Sequence, residues 1–519
     1  MSTLEQDFPA PRTSLRATLA LLAPVAAFRM ALHALGIGSY GYFRDELYYL
    51  ASTSHLALGF VDHPPFSIYV LAVWTGLFGD ALPVVRLASI VIGGATMVVV
   101  GLTARELGGG LLAQLFAPLA LAVSPLVLGS SNFYSMNVLD HFFWAASALV
   151  FVRLLRTGDR RLWLLLGTVL GLGLFNKISV LLLILALFVA LLISRHRKVL
   201  VTPLPWIAAV LSLLLFAPFL IWQLMHGFPT LEFMANATSL KMVRVSPLEF
   251  LGQQLLEVNP LALPIYLAGF LAFVPGSWLR IVRVLPIAFL VVTAVLVASG
   301  TSKAYYLAAA YPLLAGPGAV VLESAMGRSW RRILLGVYGL VLVAGGCAVA
   351  PFAIPILSPE NYLAYSRSLG ITPRAEERSA LGRLPQHFAD MFGWTELVDS
   401  VRSVYSTLSP EEQASCVIFG QNYGEAGAID VLGQRVGLPS AISGHNSYWF
   451  WGPGDWSGEV VIVIGSTRED LEELFTSVEE ASRTRCTDCM PYENGRPIWI
   501  ARGLKRPVEA LWPETRMFI

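Results

Sequence analysis

The stretch GYFRDELYYLA, Gly41 to Ala51, follows the first strongly apolar segment of the chain and sets a cation, Arg44, beside two carboxylates, Asp45 and Glu46. What such a cluster means depends on its surroundings. The 519 residues are 55% hydrophobic and only 14% charged, with a mean hydropathy of +0.63. Soluble domains carry roughly 25% charged residues. A deficit of this size over this length points to a polytopic membrane protein. The net charge of +1 gives no reason to expect nucleic acid, and four cysteines are too few for a disulfide framework.

Upstream of the motif, Glu5 and Asp7 precede the basic residues and no small-x-small site ends the apolar run. It therefore reads as a retained first membrane helix entering after Arg12 and Arg16, not a cleaved signal. Downstream, apolar runs alternate with polar breaks. The basic breaks are at Arg12 and Arg16, Arg105, Arg153 to Arg161, Arg195 to Lys198, Arg280 and Arg283, and Arg328 to Arg332. The positive-inside rule puts these on the cytoplasmic side. The breaks between them, 38–82, 129–137, the turn at Asn176-Lys177, 226–256 and 301–304, then lie outside. The pattern predicts about eleven transmembrane helices near 14–37, 83–104, 111–129, 137–156, 162–176, 178–194, 203–225, 257–276, 284–300, 305–325 and 333–356. A cytoplasmic N-terminus and an odd count place everything after Pro355 outside.

The division expected is a membrane domain over 1–356 and a soluble exoplasmic domain over 357–519, where charge density rises and apolar runs shorten. Strand-like CVIFG, VVIVIG and PIWIARG alternate with the helical REDLEELFTSVEEAS, which predicts a compact α/β domain. Cys416, Cys486 and Cys489 fall in it. On the outer side a disulfide is allowed, and CTDC without a second CxxC or a histidine pair is a weak zinc signal.

The first outer loop, 38–82, is too polar for a span and rich in aromatics. Helical spacing over Asp45 to Leu58 and Pro65 to Phe78 predicts two amphipathic helices in the membrane interface, joined by a VDHPP turn. Asp45 and Glu46 then sit where a helix dipole favours carboxylates, Asp45 as N-cap. Three features go beyond capping: the adjacent Arg44, the acid-histidine pair Asp62-His63 in the same loop, and Asp140 in NFYSMNVLDHFFWAA at the outer end of a span. An acid inside a membrane segment is by default a functional candidate.

An FRDELYYLA motif in the first outer loop, a DHPP turn, an acid in the second outer loop and GTSKAYYLAAAYPLL near residue 300 together resemble the GT-C glycosyltransferases, in the family-39 and ArnT-like branch. The likeness covers roughly residues 1–330. The tail, through ADMFGWTELV, NYGEAGAID, SGHNSYWFWGP and CMPYENGRPIWIARG, resembles the exoplasmic domains of bacterial members. The resemblance implies transfer of a sugar from a polyprenyl-phosphate donor to a lipid, glycan or protein acceptor, with a bacterial inner membrane as the setting. It implies that the motif's carboxylate, Asp45, is catalytic, and Asp45 then reads as the base of a direct, inverting attack; Glu46 reads as supporting it and Asp140 as orienting the acceptor or binding Lys303 or Arg44. Such a transfer needs a base for the acceptor proton but no general acid, because a phosphate diester leaves as a stable anion, unlike a glycosidic leaving group. The leaving phosphate needs positive charge, for which Lys303, Arg44 and His63 are candidates. Tyr305 and Tyr306 are candidates for sugar contact, and their place at the end of a span also suits an aromatic belt.

His63 stands where related sequences carry lysine, keeping a hydrogen-bond donor but no permanent charge. Asp62 and His63 alone are too few ligands for a metal site, and the sequence requires no cofactor. The 226–256 segment, with Lys241 and Arg244 among apolar residues, is a candidate cover for the site or headgroup ligand. Two other classes fit the composition. A transporter or flippase also carries buried acids, but here the charges gather at the outer helix ends and no broken-helix pair recurs in two halves. A membrane-anchored carbohydrate-binding or assembly protein would use aromatic SGHNSYWFWGPGDW as its platform.

Overall fold

The computed structural model describes residues 10–274, 283–325, 329–374 and 377–519, with side chains from Ile333 onward in the last apolar helix. Glu5, Asp7, Arg280 and Arg328 lie outside the described residues, as do the side chains of Arg331 and Arg332. The chain folds as two compact units, each assembled from separated segments: Met1–Ile37, Val85–Ile221 and Arg244–Ile356 in the first, Gly38–Val84, Trp222–Val243 and Leu357–Ile519 in the second.

The first unit is helical. Each of the eleven apolar segments read from the sequence contains helix. Among the described residues five helices are long and apolar enough to cross a membrane, or eight if each bent pair is one span. Leu111–Ala122, Arg161–Asn176 and Val284–Ser299 are apolar but shorter. The chain is a membrane protein by this measure. Close packing rests on small residues: a Cβ on Gly318 would overlap the carbonyl of Ile265, and one on Gly269 would lie 2.9 Å from that of Leu314. At one end of the bundle, Arg105 donates to the Thr13 carbonyl and to Glu106, and Glu106 also pairs with Arg156. Glu323 accepts from the first amides of Leu111–Ala122 at Gly110 and Leu112. These groups come from the basic breaks or their flanks, so those breaks share an end.

The second unit is built on a five-stranded sheet: β1 (Cys416–Gly420), β2 (Ala441–Ile442), β3 (Val460–Ile464), β4 (Phe475–Arg483) and β5 (Pro497–Leu504), in the order β2-β1-β3-β5-β4. β1 runs parallel to β2 and β3, while β5 runs antiparallel to β3 and β4. VVIVI is buried at every position, as a central strand covered on both faces must be. Val461 and Val463 face a core with Trp456, Phe475 and Trp499.

Two expectations from the sequence are corrected here. REDLEELFTSVEEAS is helical only over Arg468–Leu474 and continues as the edge strand β4. The glutamates suggested helix, but Phe475 enters the sheet core and the rest pairs along β5, so tertiary pairing overrides local propensity. The helix after the motif runs Arg44–Thr53, and its residues Glu46 to Ser52 are all buried. It is an internal element of the second unit, not an amphipathic helix presenting an apolar face to lipid. The helix Phe66–Phe78 does keep an exposed apolar edge at Val73, Leu77 and Phe78.

Candidate active site

Phe43, not Asp45, is the N-cap of Arg44–Thr53. Glu46, in the third helical position, turns back and accepts a 2.9 Å hydrogen bond from the Phe43 amide, with its side chain fully buried. Glu46 thus closes the helix end, and Asp45 is left to point elsewhere.

Asp45 is half-buried and accepts one side-chain hydrogen bond among the described residues, 2.9 Å from the Tyr423 hydroxyl. Tyr423 opens the short helix Tyr423–Ala428, which Asn422 and Glu425 cap: Asn422 accepts from the amides of Gly424 and Glu425, and Glu425 accepts from Gln421 and pairs with Arg496. Two glycines let this helix lie directly on the motif helix. A Cβ at Gly427 would come 3.0 Å from the backbone of Leu47, and one at Gly424 would press into the Arg44 side chain. Burial, with the Asp45 carboxylate next to it, pushes the Tyr423 hydroxyl far above its ordinary range although Arg44 opposes this, so it stays a donor. The Tyr423 amide donates to His445 Nδ1, and His445 in turn donates through Nε2 to the Ile519 carbonyl at 2.8 Å.

Arg44, only 12% exposed, lies 4.0 Å from Asp390, donates 2.8 Å to the Tyr492 hydroxyl and sits over the Tyr423 ring. Burial works against its charge, but Asp390, with Tyr423, Tyr492 and Asp45, outweighs this and lifts its pKa. Backbone bonds fix the same segment, from the Gly41 amide to Met391 and from the Arg44 amide to Asp390. Asp62 accepts from the Tyr48 hydroxyl at 3.0 Å. His63 is enclosed by the rings of Tyr48, Tyr49 and Phe60; its Nδ1 faces the Pro64 carbonyl and its Nε2 makes no hydrogen bond among the described residues. Reaching a phosphate would require this cage to open. Among the described residues no three His, Cys, Asp or Glu side chains gather closely enough to hold a metal.

A cavity of about 350 Å³ opens in the same unit, walled by His55, Phe60, Trp222, His226, Phe450 and Trp451. His55 stacks on Trp451 at 4.2 Å and His226 on Trp222 at 4.4 Å. Trp451 packs on Tyr48, and Tyr48 on Tyr423, so a run of rings leads from the cavity wall to Asp45.

The other candidates belong to the first unit. Asp140 is 2% exposed and accepts 2.8 Å from Ser179. Its cation is Lys177 at 3.4 Å, in place of the Lys303 or Arg44 expected from the sequence. Lys177 also donates to Asn137 at 2.7 Å. Asn176-Lys177 read as a plain turn, yet a lone cation between two apolar helices is itself a signal. Arg29, within the first apolar helix, carries the same signal: it is buried, donates 2.6 Å to Ser131 and packs where a Gly93 side chain would be, and its Nε and Nη1 make no hydrogen bond among the described residues. His141 lies 3.4 Å from Ser130. Lys303 caps a 3-10 helix, Ala304–Ala310, bent 58° from Pro312–Ser324, with Tyr305 and Tyr306 edge to face upon it. Lys241 pairs with Glu377 in the second unit.

A solved structure of ArnT from Cupriavidus metallidurans bound to undecaprenyl phosphate matches with a TM-score of 0.60 at 16% identity, covering 94% of this chain and 98% of that one. The chain has the GT-C fold in its ArnT-like form. The same protein in the apo state gives 0.59 at 15% identity, over 93% and 98% of the two chains. The family model described as dolichyl-phosphate-mannose-protein mannosyltransferase matches residues 62–222, beginning downstream of the Arg44–Glu46 motif. A lipid A galacturonosyltransferase, RgtD of Rhizobium johnstonii, is 28% identical over 224 residues, 42% of this chain. The match takes in about half (47%) of that relative's length. The resemblance read from the sequence therefore stands, and the ArnT-like fold now includes the tail as well as the helical part.

Proposed function

We propose that this ArnT-like chain is a membrane glycosyltransferase that moves a sugar from a polyprenyl-phosphate donor to a hydroxyl or amine acceptor. Asp45 takes the acceptor's proton as the acceptor oxygen or nitrogen attacks the anomeric carbon. The bond to phosphate breaks, the lipid phosphate leaves as an anion, and the anomeric centre inverts. Arg44, held charged by Asp390, supplies positive potential for the phosphate. The observation that carries this reading is the contrast between two adjacent acids: Glu46 is consumed by a cap, while Asp45 is half-exposed, oriented by Tyr423 and flanked by a fixed cation. The ArnT relative was solved with undecaprenyl phosphate, which supports a lipid-linked donor, and RgtD is named for transfer to lipid A, which supports a lipid acceptor. The assignment of Lys303, Tyr305 and Tyr306 to donor binding rests on the motif resemblance alone.

The cytoplasmic N-terminus and the outward-facing tail belong to the same proposal and rest on the charge of the breaks, and a bacterial inner membrane rests on the family resemblance. Acceptor selection belongs to the tail, with the ring-lined cavity at Trp451 taking a saccharide against its aromatic faces. That cavity also favours the second reading, a carbohydrate-binding protein without turnover. The test is to incubate the purified protein with radiolabelled polyprenyl-phosphate sugars and a lipid and glycan extract. Transfer predicts free polyprenyl phosphate and a labelled product in equal amounts. Saturable glycan binding with no donor consumed would favour the second reading.

A further inference from the structure

CTDC, Cys486 to Cys489, is not used by the chemistry above, and its geometry is that of a paired dithiol. The segment bends tightly between β4 and β5, so that the Cys489 amide donates to Cys486 Sγ at 3.1 Å. Cys486 is half-exposed and Cys489 is 4% exposed. An attacking thiol must meet its oxidant, and a resolving thiol need only meet its neighbour; the exposures divide the pair that way. Gly393, with φ of +93°, lies against both: a Cβ there would be 3.3 Å from Cys486 Sγ and from Cys489 Cβ. The Cys486 amide is tied to Asn494 and Asp488 pairs with Arg383, so the loop holds the two sulfurs in register. Among the described residues no third ligand completes a metal set. Three residues beyond Cys489 stands Tyr492, which receives the Arg44 hydrogen bond.

We propose that Cys486 and Cys489 are a redox couple that closes to an intrachain disulfide by thiol–disulfide exchange, and that closure resets the loop holding Tyr492 against Arg44. Cys486, as thiolate, attacks one sulfur of an external disulfide, whose S–S bond breaks and whose other sulfur leaves as a thiolate. Cys489 gives its proton to solvent and attacks Cys486 Sγ, expelling the second external thiol. Two protein thiols are oxidised and one external disulfide is reduced to two thiols. The thiol hydrogen bond between the two lowers Cys486 and, with burial, raises Cys489, in keeping with attacker and resolver. Cys416, inside β1, is pushed up to about 12 by burial and does not compete.

The experiment equilibrates the full-length protein in glutathione buffers of graded ratio, alkylates it and maps the cysteines by mass spectrometry. The expected result is a peptide that passes from doubly alkylated to unalkylated with no singly alkylated form, while Cys416 stays free. Cys489→Ala, lacking the resolver, accumulates a glutathione adduct on Cys486 that the wild type does not. Thiols that both remain alkylatable at the most oxidising ratio, or a wild type that stops at the glutathione adduct, would overturn the couple. Hydrogen exchange of the amides from Arg44 to Leu47 reads the second half: oxidation raises it several-fold, and unchanged exchange there would refute the coupling to Arg44.

Discussion

A carboxylate that serves as a base must keep lone pairs free of other donors, and among the described residues Asp45 accepts a single side-chain hydrogen bond, at one oxygen, from Tyr423. Glu46 is in the opposite condition, buried and bonded to the helix start. Glu46→Ala leaves the Phe43 amide without its acceptor and is expected to cost roughly 1–3 kcal/mol, with a smaller loss for Glu46→Gln; denaturation of the two variants in detergent measures it. Asp140 makes a parallel case in the first unit. Lys177→Met strips the cation from a carboxylate that is 2% exposed, and breaking such a pair costs roughly 3–5 kcal/mol. The double variant Lys177→Met with Asp140→Asn should recover most of that loss, and a double variant no more stable than Lys177→Met would contradict the pairing. Sequence alone marked Arg44, Asp45 and Asp140, because charges beside apolar runs stand out locally. It did not disclose Asp390, Tyr423, Tyr492 or Lys177 as their partners, since those contacts join residues up to 448 positions apart.

Period and punctuation made most elements legible. Apolar runs became helices, and CVIFG, VVIVIG and PIWIARG became β1, β3 and β5. FTSVEEASR was misread because local propensity cannot see β5, and the motif helix was assigned to lipid because a buried stripe looks the same whether protein or membrane covers it. The contact of Arg44–Thr53 with Tyr423–Ala428 depends on Gly427, 3.0 Å of virtual Cβ clearance from Leu47. Gly427→Val should separate the helices, lower stability by about 1–3 kcal/mol and weaken the Tyr423–Asp45 bond; unchanged melting would remove this contact from the account. At the same junction His445 accepts from the Tyr423 amide, and burial lowers its pKa from 6.5 to about 3. The unfolded chain then binds the extra proton between those values and the folded chain does not. Stability falls as pH drops from about 6.5 toward about 3, by up to about 1.4 kcal/mol per pH unit from this group. His445→Gln should flatten that part of the stability profile relative to wild type.

At the scale of the whole molecule, the chain order conceals the organisation. A boundary near residue 356 follows the change in composition, but the compact second unit also draws in Gly38–Val84 and Trp222–Val243. Composition separates membrane from water and does not record that the polar loop Gly38–Val84 folds with a tail that begins only at Leu357. The motif acids Asp45 and Glu46 thus belong to the unit with the sheet, and Asp140 and Lys303 to the helical unit. Asp45 is proposed as the base of a sugar transfer from a polyprenyl-phosphate donor, and turnover of such a donor by Asp45→Asn beside wild type and Glu46→Gln, with folding of all three checked, tests this role. Loss of the base should lower kcat by about 10²–10⁴ in Asp45→Asn, with Glu46→Gln near wild type. A folded Asp45→Asn that turns over at the wild-type rate would rule Asp45 out as the base.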